Sequence, residues 1–214
     1  MAPASTRAVF LDALGTLVEL DPPWLHLAGS LDMDPTDGRL IAAVRTEMAY
    51  YKDHAHEGSD AAALAELRER CAQLLSRELG RTVEVETMMS AIRFRAFEDA
   101  APALSALRAR GLALLCVSNW DISLGEVLDR CGLAGALDEV VSSAVAGSRK
   151  PDPAIFSVAL ELARCAPSEA LHVGDTEAED IAGAGAAGIP CLLLDREGAG
   201  GISSLAEIEE HLRS

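Results

Sequence analysis

Four polar groups of complementary chemistry each lie at or after the end of an apolar segment. Asp12 ends the first such segment and Ser118 the second, while Lys150 follows the third and Asp175 the fourth. Segments that are apolar throughout are typical of strands buried on both faces of a parallel sheet. Parallel strands have their carboxyl ends at one edge of the sheet, where open α/β sheets bind ligands. We therefore expect these four side chains to meet at that edge, although an aspartate like Asp12 could also simply cap a turn.

Such a set of side chains is suited to phosphoryl transfer. Asp12 would supply a carboxylate nucleophile, and Lys150 would offset negative charge. The Ser118 hydroxyl and nearby backbone N–H groups would orient oxygen atoms. Mg²⁺ usually binds through one or two carboxylates plus a substrate phosphate, so Asp12 and Asp175 would suffice to hold it beside an anionic substrate.

The apolar segments alternate with helical patterns. The predicted strands are Ala8–Asp12, Leu112–Ser118, Glu139–Ser142, Leu171–Gly174 and Pro190–Leu194, and the predicted helices after the last four are Ile122–Arg130, Pro153–Arg164, Glu177–Ala187 and Ser203–Arg213. Ser204 and Glu207 have the spacing of a capping box. The alternation predicts an α/β fold, a Rossmann-like, doubly wound parallel sheet.

The segment 19–96 interrupts this alternation. Its stretches Arg39–Tyr51, Ala61–Leu79 and Glu86–Ala96 have helical spacing, with no convincing strand between them. Gly80 is suited to end the middle helix. We therefore predict an inserted all-helical cap subdomain at 19–96, with the core formed by residues 1–18 and 97–214.

Four motifs, in this order, resemble those of the haloacid dehalogenase-like (HAD) hydrolase superfamily. They are Asp12-x-x-Gly-Thr-Leu, Ser118-Asn119, Ser148-Arg149-Lys150-Pro151-Asp152-Pro153-x-Ile-Phe, and His172-Val173-Gly174-Asp175 through Asp180 with Gly183-Ala184. The resemblance covers essentially the whole chain. It is closest to the branch with a helical cap between the first and second motifs.

The resemblance implies a role for each matching position. Asp12 would be the nucleophile that forms an aspartyl-phosphate, which water then hydrolyses. The residues implied in catalysis or in contact with the substrate are Asp12, Thr16, Ser118, Asn119 and Lys150, and those implied at the Mg²⁺ site are Asp12, the Leu14 carbonyl, Asp175 and Asp180. Glu179 stands where close relatives often have Asn, and its role is left open.

One position departs from the pattern of the family's phosphatases. They carry a second Asp two residues after the nucleophile, and this chain has Leu14 there. That Asp protonates the leaving oxygen and later activates water, a contribution of roughly 10²–10⁴-fold. Leu14 can do neither, so Mg²⁺ and substrate can bind while turnover is impaired.

The departure leaves alternatives to a phosphatase open. Dehalogenases of the superfamily also lack this second Asp, because a departing halide needs no proton. The site of those enzymes resembles a metal-free version of the phosphatase site, however, whereas this chain keeps Asp175 after Gly174, as the phosphatases do. A non-catalytic fold that binds a ligand or a protein partner is the remaining alternative.

The composition limits the partners. Acidic residues outnumber basic ones 34 to 18, and a net charge of −16 repels nucleic acids and anionic membranes. The first residues fit neither a signal nor a transit peptide, and the longest uncharged stretch is too short to span a bilayer. We therefore expect a cytoplasmic protein that binds neither nucleic acid nor a membrane. The partner that the resemblance implies is a small phosphorylated metabolite; the oligomeric state is not predicted.

Overall fold

A computed structural model describes residues 6–198 and 200–212 of the chain. In chain order its strands are β1 (Ala8–Leu11), β2 (Val18–Leu20), β3 (Phe94–Ala96), β4 (Ala113–Ser118), β5 (Glu139–Ser142), β6 (Ala170–Gly174) and β7 (Cys191–Leu193). The α-helices are α1 (Pro23–Leu31), α2 (Gly38–His54), α3 (Ala61–Leu79), α4 (Val85–Ser90), α5 (Ala100–Ala109), α6 (Leu124–Arg130), α7 (Ser143–Ala146), α8 (Ala154–Ala163), α9 (Ala182–Ala186) and α10 (Ile208–His211). Over the described residues, none of these helices combines the length and the apolar character needed to cross a membrane.

A parallel sheet forms the centre of the fold. Its five strands have the order β5-β4-β1-β6-β7, and each neighbouring pair is parallel. The strands predicted from the sequence are confirmed to within one residue at each end. The order places β1 in the middle, so the residue that follows β1 lies between the ends of β4 and β6.

Strand β1 shows why an uninterrupted apolar segment is needed. Side chains alternate between the two faces of a strand. Val9 and Leu11 belong to a hydrophobic cluster on one face, and Ala8 and Phe10 to a cluster on the other. All four are fully buried, so a polar residue on either face would lack solvent.

Helices cover both faces of the sheet. On the Val9 face, Leu104 of α5, Leu128 of α6 and Ile208 of α10 complete the core. On the opposite face, Phe156 of α8 and Ala184 of α9 pack on the strands. This is the α/β arrangement expected from the alternation of strands and helices.

Helices α1–α4 lie between β2 and β3 and have a hydrophobic cluster of their own. Two of the predicted helices are confirmed, because α3 has the predicted bounds and α2 extends the predicted Arg39–Tyr51 by a few residues. Asp60 caps the start of α3, and Gly80 ends it at φ +66°. Helix α1 begins with Pro23 and was not expected from the sequence.

The prediction of an all-helical segment 19–96 is wrong at both ends. The last helix ends at Ser90, not Ala96, and β3 follows it. Strand β3 pairs antiparallel with β2, with Val18 opposite Ala96. Phe94 packs on the core, and the centroid of its ring lies 5.1 Å from that of Trp120. Arg95, the next residue, points outward. Three residues are too few to show a strand period in the sequence.

Two predicted helices near the carboxyl end are shorter or less regular than expected. The predicted Glu177–Ala187 is a π-helical turn at Glu177–Ile181 followed by α9. The predicted Ser203–Arg213 is a 3₁₀ turn at Leu205–Glu207 followed by α10, and Arg213 lies outside the described residues. The capping box of Ser204 and Glu207 is confirmed.

We predict that the core of α1–α4 contributes directly to stability. Leu67 is fully buried in it, so Leu67→Ala leaves a cavity and lowers the free energy of unfolding by about 2–5 kcal/mol. Leu25 is 52% exposed, and Leu25→Ala is the control, with a change within about 0.5 kcal/mol. Denaturant unfolding followed by circular dichroism measures both. Equal losses would contradict this packing.

Candidate active site

Asp12 directly follows the central strand, at the carboxyl edge of the sheet. Its backbone N–H donates to the Val173 carbonyl of β6 at 2.9 Å, which continues the pairing of the two strands past the end of β1. Its side chain is 9% exposed. A buried carboxylate at this edge needs charged or hydrogen-bonding partners.

Lys150 provides the main partner. Its Nζ donates to Oδ1 of Asp12 at 2.5 Å and to Oδ1 of Asp180 at 2.5 Å, and its side chain is 2% exposed. Burial alone would lower the pKa of Lys150, but the two carboxylates raise it above its usual value, so the ammonium stays charged. Burial raises the pKa of Asp12, and the charge of Lys150 opposes that rise.

Asp180 is held on several sides. Besides Lys150, the Nε2 of His172 lies 2.9 Å from Oδ1, and the Thr176 N–H donates to Oδ2 at 3.1 Å. Burial acts to raise the pKa of Asp180, but the His172 hydrogen bond and Lys150 hold it well below its usual range. The carboxylate also lies against Gly174, where a Cβ would approach Cγ to 2.2 Å. Any larger residue at 174 would displace Asp180.

Asn119 positions the main chain of Lys150. Its Oδ1 accepts from the Lys150 N–H at 2.8 Å, and its Nδ2 donates to the Lys150 carbonyl at 3.0 Å. The same Nδ2 donates to Glu179 at 3.3 Å. The sequence predicts a substrate contact for Asn119, and in this structure its amide is already engaged by these neighbours. Ser118 is buried, and its hydroxyl lowers the pKa of Asp12 by a hydrogen bond.

Three carboxylates can converge on one cation. One oxygen each from Asp12, Asp175 and Asp180 lies within 4.8 Å of the others. Loss of solvation, followed by the charges of Asp12 and Asp180, raises the pKa of Asp175 to about 6. An all-oxygen donor set suits a hard cation such as Mg²⁺ rather than a thiolate-seeking metal. The residues present therefore fit a divalent cation that would relieve the repulsion between them.

The turn after β1 lies against this cluster. Gly15 has φ +85°, and a Cβ there would lie 2.1 Å from Oδ2 of Asp175, so only glycine fits. Thr16 is fully buried, and its Oγ1 has no hydrogen-bond partner among the described residues. Leu14 is 41% exposed. The side chain at the position of the missing general acid is therefore apolar and partly open to solvent.

The structure brings the predicted residues to one place. Asp12, Ser118, Lys150, Asp175 and Asp180 lie at the strand ends, Asn119 lies behind Lys150, and Leu14 and Thr16 lie on the adjacent turn. Two contacts were missed from the sequence. His172 lies in an apolar strand segment, and nothing in that segment indicates its contact with Asp180. Arg196 follows β7 without a motif to mark it.

Comparison with known proteins gives the family. Residues 6–188 match the model of the haloacid dehalogenase-like hydrolases. The chain is 41% identical over 101 residues to the haloacid dehalogenase-like hydrolase domain-containing protein 3 of Bos taurus, a match that covers 47% of this chain and 40% of that protein. It is 38% identical over 105 residues to a phosphoserine phosphatase of Thermus thermophilus, covering 49% of this chain and 42% of the relative. The chain thus spans less than half the length of these relatives.

A solved structure shows the same fold over nearly the whole chain. The 2-haloacid dehalogenase of Pseudomonas syringae pv. Tomato superposes with a TM-score of 0.63 at 23% identity, over 97% of this chain and 98% of that one. Identity at this level shows the fold alone. The match of the family model over most of the chain shows more: the protein belongs to the haloacid dehalogenase-like hydrolase family.

Proposed function

We propose that the protein is a Mg²⁺-dependent phosphatase of a small phosphorylated metabolite, acting through an aspartyl-phosphate on Asp12. The observation that carries the proposal is the convergence of three carboxylates within 4.8 Å beside the buried ammonium of Lys150. Such a site pairs a cation site with a fixed positive charge, which suits a phosphate group. The matched phosphatase relative supports the same reaction class.

Mg²⁺ would be held by Asp12, Asp175, Asp180 and the Leu14 carbonyl, and it would supply positive charge that favours the ionised Asp12. An Asp12 oxygen attacks phosphorus, and the bond from phosphorus to the leaving oxygen breaks. Lys150 neutralises charge on the transferring group, while Ser118 and Thr16 orient its oxygen atoms. Water then attacks phosphorus, releasing phosphate and restoring Asp12. Because Leu14 holds no proton, the leaving oxygen must be protonated by solvent.

We also propose that residues 19–96 act as a cap on a core of residues 1–18 and 97–214. The Tyr51 hydroxyl donates to the buried Asp121 at 2.7 Å, and Lys52 pairs with Glu179 at 3.1 Å. Glu179 thus joins the cap to the turn that contains Asp180. An uncharged Asn at this position could not form the ion pair with Lys52. A cap of this kind excludes water and selects substrates.

Dehalogenation is the second candidate, and Leu14 is the observation that favours it, because halide needs no proton on departure. The acidic cluster weighs against it, because without a metal ion Asp175 faces the negative charges of Asp12 and Asp180. A non-catalytic binding fold is the third. The cytoplasmic location and the absence of nucleic-acid and membrane partners stay predictions.

A substrate panel tests the proposal. Acyl phosphates, aryl and alkyl phosphate esters and 2-haloacids are each offered with and without Mg²⁺. We expect phosphate release that needs Mg²⁺, and Asp12→Asn reduces it to background while the fold is kept. The matched control is Asp129→Asn, at an exposed aspartate of α6. Halide release without metal would support the dehalogenase instead, and retained turnover in Asp12→Asn would refute covalent catalysis by that residue.

Asp175→Asn tests the cation site through stability. The pKa of Asp175 is raised to about 6, so its ionisation destabilises the metal-free fold increasingly as the pH rises from about 4 to about 6. Without metal, the melting temperature of Asp175→Asn should exceed that of the wild type above about pH 6 and equal it near about pH 4. Mg²⁺ should stabilise the wild type and reverse the order, because binding favours the folded state. Mg²⁺ that leaves the wild-type melting temperature unchanged would contradict the assignment.

Leu14→Asp tests the missing acid. An acidic phenol or an acyl group leaves without help, whereas an alkoxide needs a proton, so the new carboxyl raises alkyl phosphate turnover by up to roughly 10²–10⁴-fold. Aryl and acyl phosphates gain less. Leu14→Asn is the matched control, with the same size and no titratable group, and position 14 is exposed enough to accept either. Steady-state rates measure the alkyl-to-aryl ratio; a ratio that does not rise in the Asp variant would show that another step limits turnover.

A further inference from the structure

Arg196 makes an unusual set of contacts for a residue in a loop. Its Nε donates to the Gly15 carbonyl at 3.2 Å, and its Nη2 donates to the Thr16 carbonyl at 2.7 Å. Nη1 and Nη2 also donate to the two oxygens of the Asp99 carboxylate, each at 3.1 Å. The planar guanidinium can make these bonds together because its donors are fixed in one plane. One side chain thus connects three segments that are far apart in sequence.

The guanidinium is also fixed from its flat side. Its central carbon lies 3.6 Å from the centroid of the Phe97 ring, and its side chain is 24% exposed. Asp99 in turn accepts from the Ser204 hydroxyl and the Leu205 N–H, each at 2.9 Å. The Arg196 and Asp99 pair is therefore part of a partly buried, hydrogen-bonded network rather than a free surface ion pair.

The two carbonyls belong to the turn of the candidate active site. Gly15 lies against the Asp175 carboxylate, and Leu14, whose carbonyl is proposed to face the cation, directly precedes it. A cleft of about 470 Å³ borders Gly15, Asp175 and Arg196 on this side. Hydrogen bonds from Arg196 therefore support the turn on the flank that borders this cleft.

We infer that Arg196 is a positioning residue, which holds the Leu14–Thr16 turn in register with Asp175. Its hydrogen bonds go to the main chain of the turn and to Asp99, so it acts through the turn. Its effect on catalysis rests on the proposed function, whereas its effect on the turn does not. Phe97 and Asp99 follow β3, so the same contacts tie this turn to the chain that returns from the cap.

The test uses the full chain with Arg196→Gln and Arg196→Lys. The controls are Arg108→Gln and Arg108→Lys, because Arg108 also donates to one carbonyl and one carboxylate, those of Ala136 at 2.7 Å and Asp138 at 2.9 Å, at the opposite edge of the sheet. The first readout is amide hydrogen exchange of residues 13–18 in metal-free protein. The amides of Gly15, Leu17 and Val18 are hydrogen-bonded within that turn.

Arg196→Gln should speed exchange in residues 13–18 by about tenfold, while residues 61–79 of the cap exchange as in wild type. Arg196→Lys should give a smaller increase, because an ammonium keeps the charge but cannot serve both carbonyls and the carboxylate. The Arg108 variants should leave this segment unchanged. Exchange at wild-type rates in both Arg196 variants, or an equal increase throughout the chain, would overturn the inference. If Arg196→Gln does not fold, the same exchange measurement on Arg196→Lys and Asp99→Asn tests the inference.

Mg²⁺ titration calorimetry links the turn to the site. The dissociation constant for Mg²⁺ should rise several-fold in Arg196→Gln and stay unchanged in Arg108→Gln. If Mg²⁺ binds wild type and both variants equally, Arg196 does not position the site. If wild type binds no Mg²⁺, the proposed function fails, and hydrogen exchange alone still decides whether Arg196 holds the turn.

Discussion

The site depends on one buried cation, the ammonium of Lys150. It lies between Asp12 and Asp180 and is shielded from solvent, so neither carboxylate could be buried at low cost without it. Charge is not the only interaction that fixes Lys150, because the Asn119 side chain is hydrogen-bonded to both its backbone N–H and its backbone carbonyl. The loop between α7 and α8 is thereby tied to the ends of β4 and β1, and the nucleophile candidate has a charged partner before any ligand binds.

The constraint extends outward through Asp180. The Asp180 carboxylate is hydrogen-bonded to Lys150, His172 and the Thr176 N–H together. These contacts require the chain after β6 to turn back so that the carboxylate lies over Gly174. A π-helical turn at Glu177–Ile181 accomplishes this return, and glycine at 174 leaves the space. Local irregularity is thus found where the electrostatics of the site demand it, while the sheet and its helices stay regular.

The sequence predicts the sheet well because β1 and its neighbours are buried on both faces, so that each strand is a nearly uninterrupted run of apolar residues. It also predicts that Asp12, Lys150 and Asp175 meet, since they follow strands that end at one edge. The short β3 was missed, because three residues carry too little periodicity to outweigh the helical pattern before them. Arg196 and His172 were missed for another reason: their partners are distant in sequence, and only the folded chain shows which carbonyl or carboxylate each one meets.

The pairing of β2 with β3 has a mechanical consequence. The chain enters and leaves residues 21–93 through a two-stranded antiparallel ribbon, whose strands are joined by hydrogen bonds and fixed in register from Val18 opposite Ala96 to Leu20 opposite Phe94. The two connections cannot slide past each other without breaking that register. Helices α1–α4 are therefore joined to the sheet by two paired strands rather than by two independent linkers, so a displacement of one connection carries the other with it.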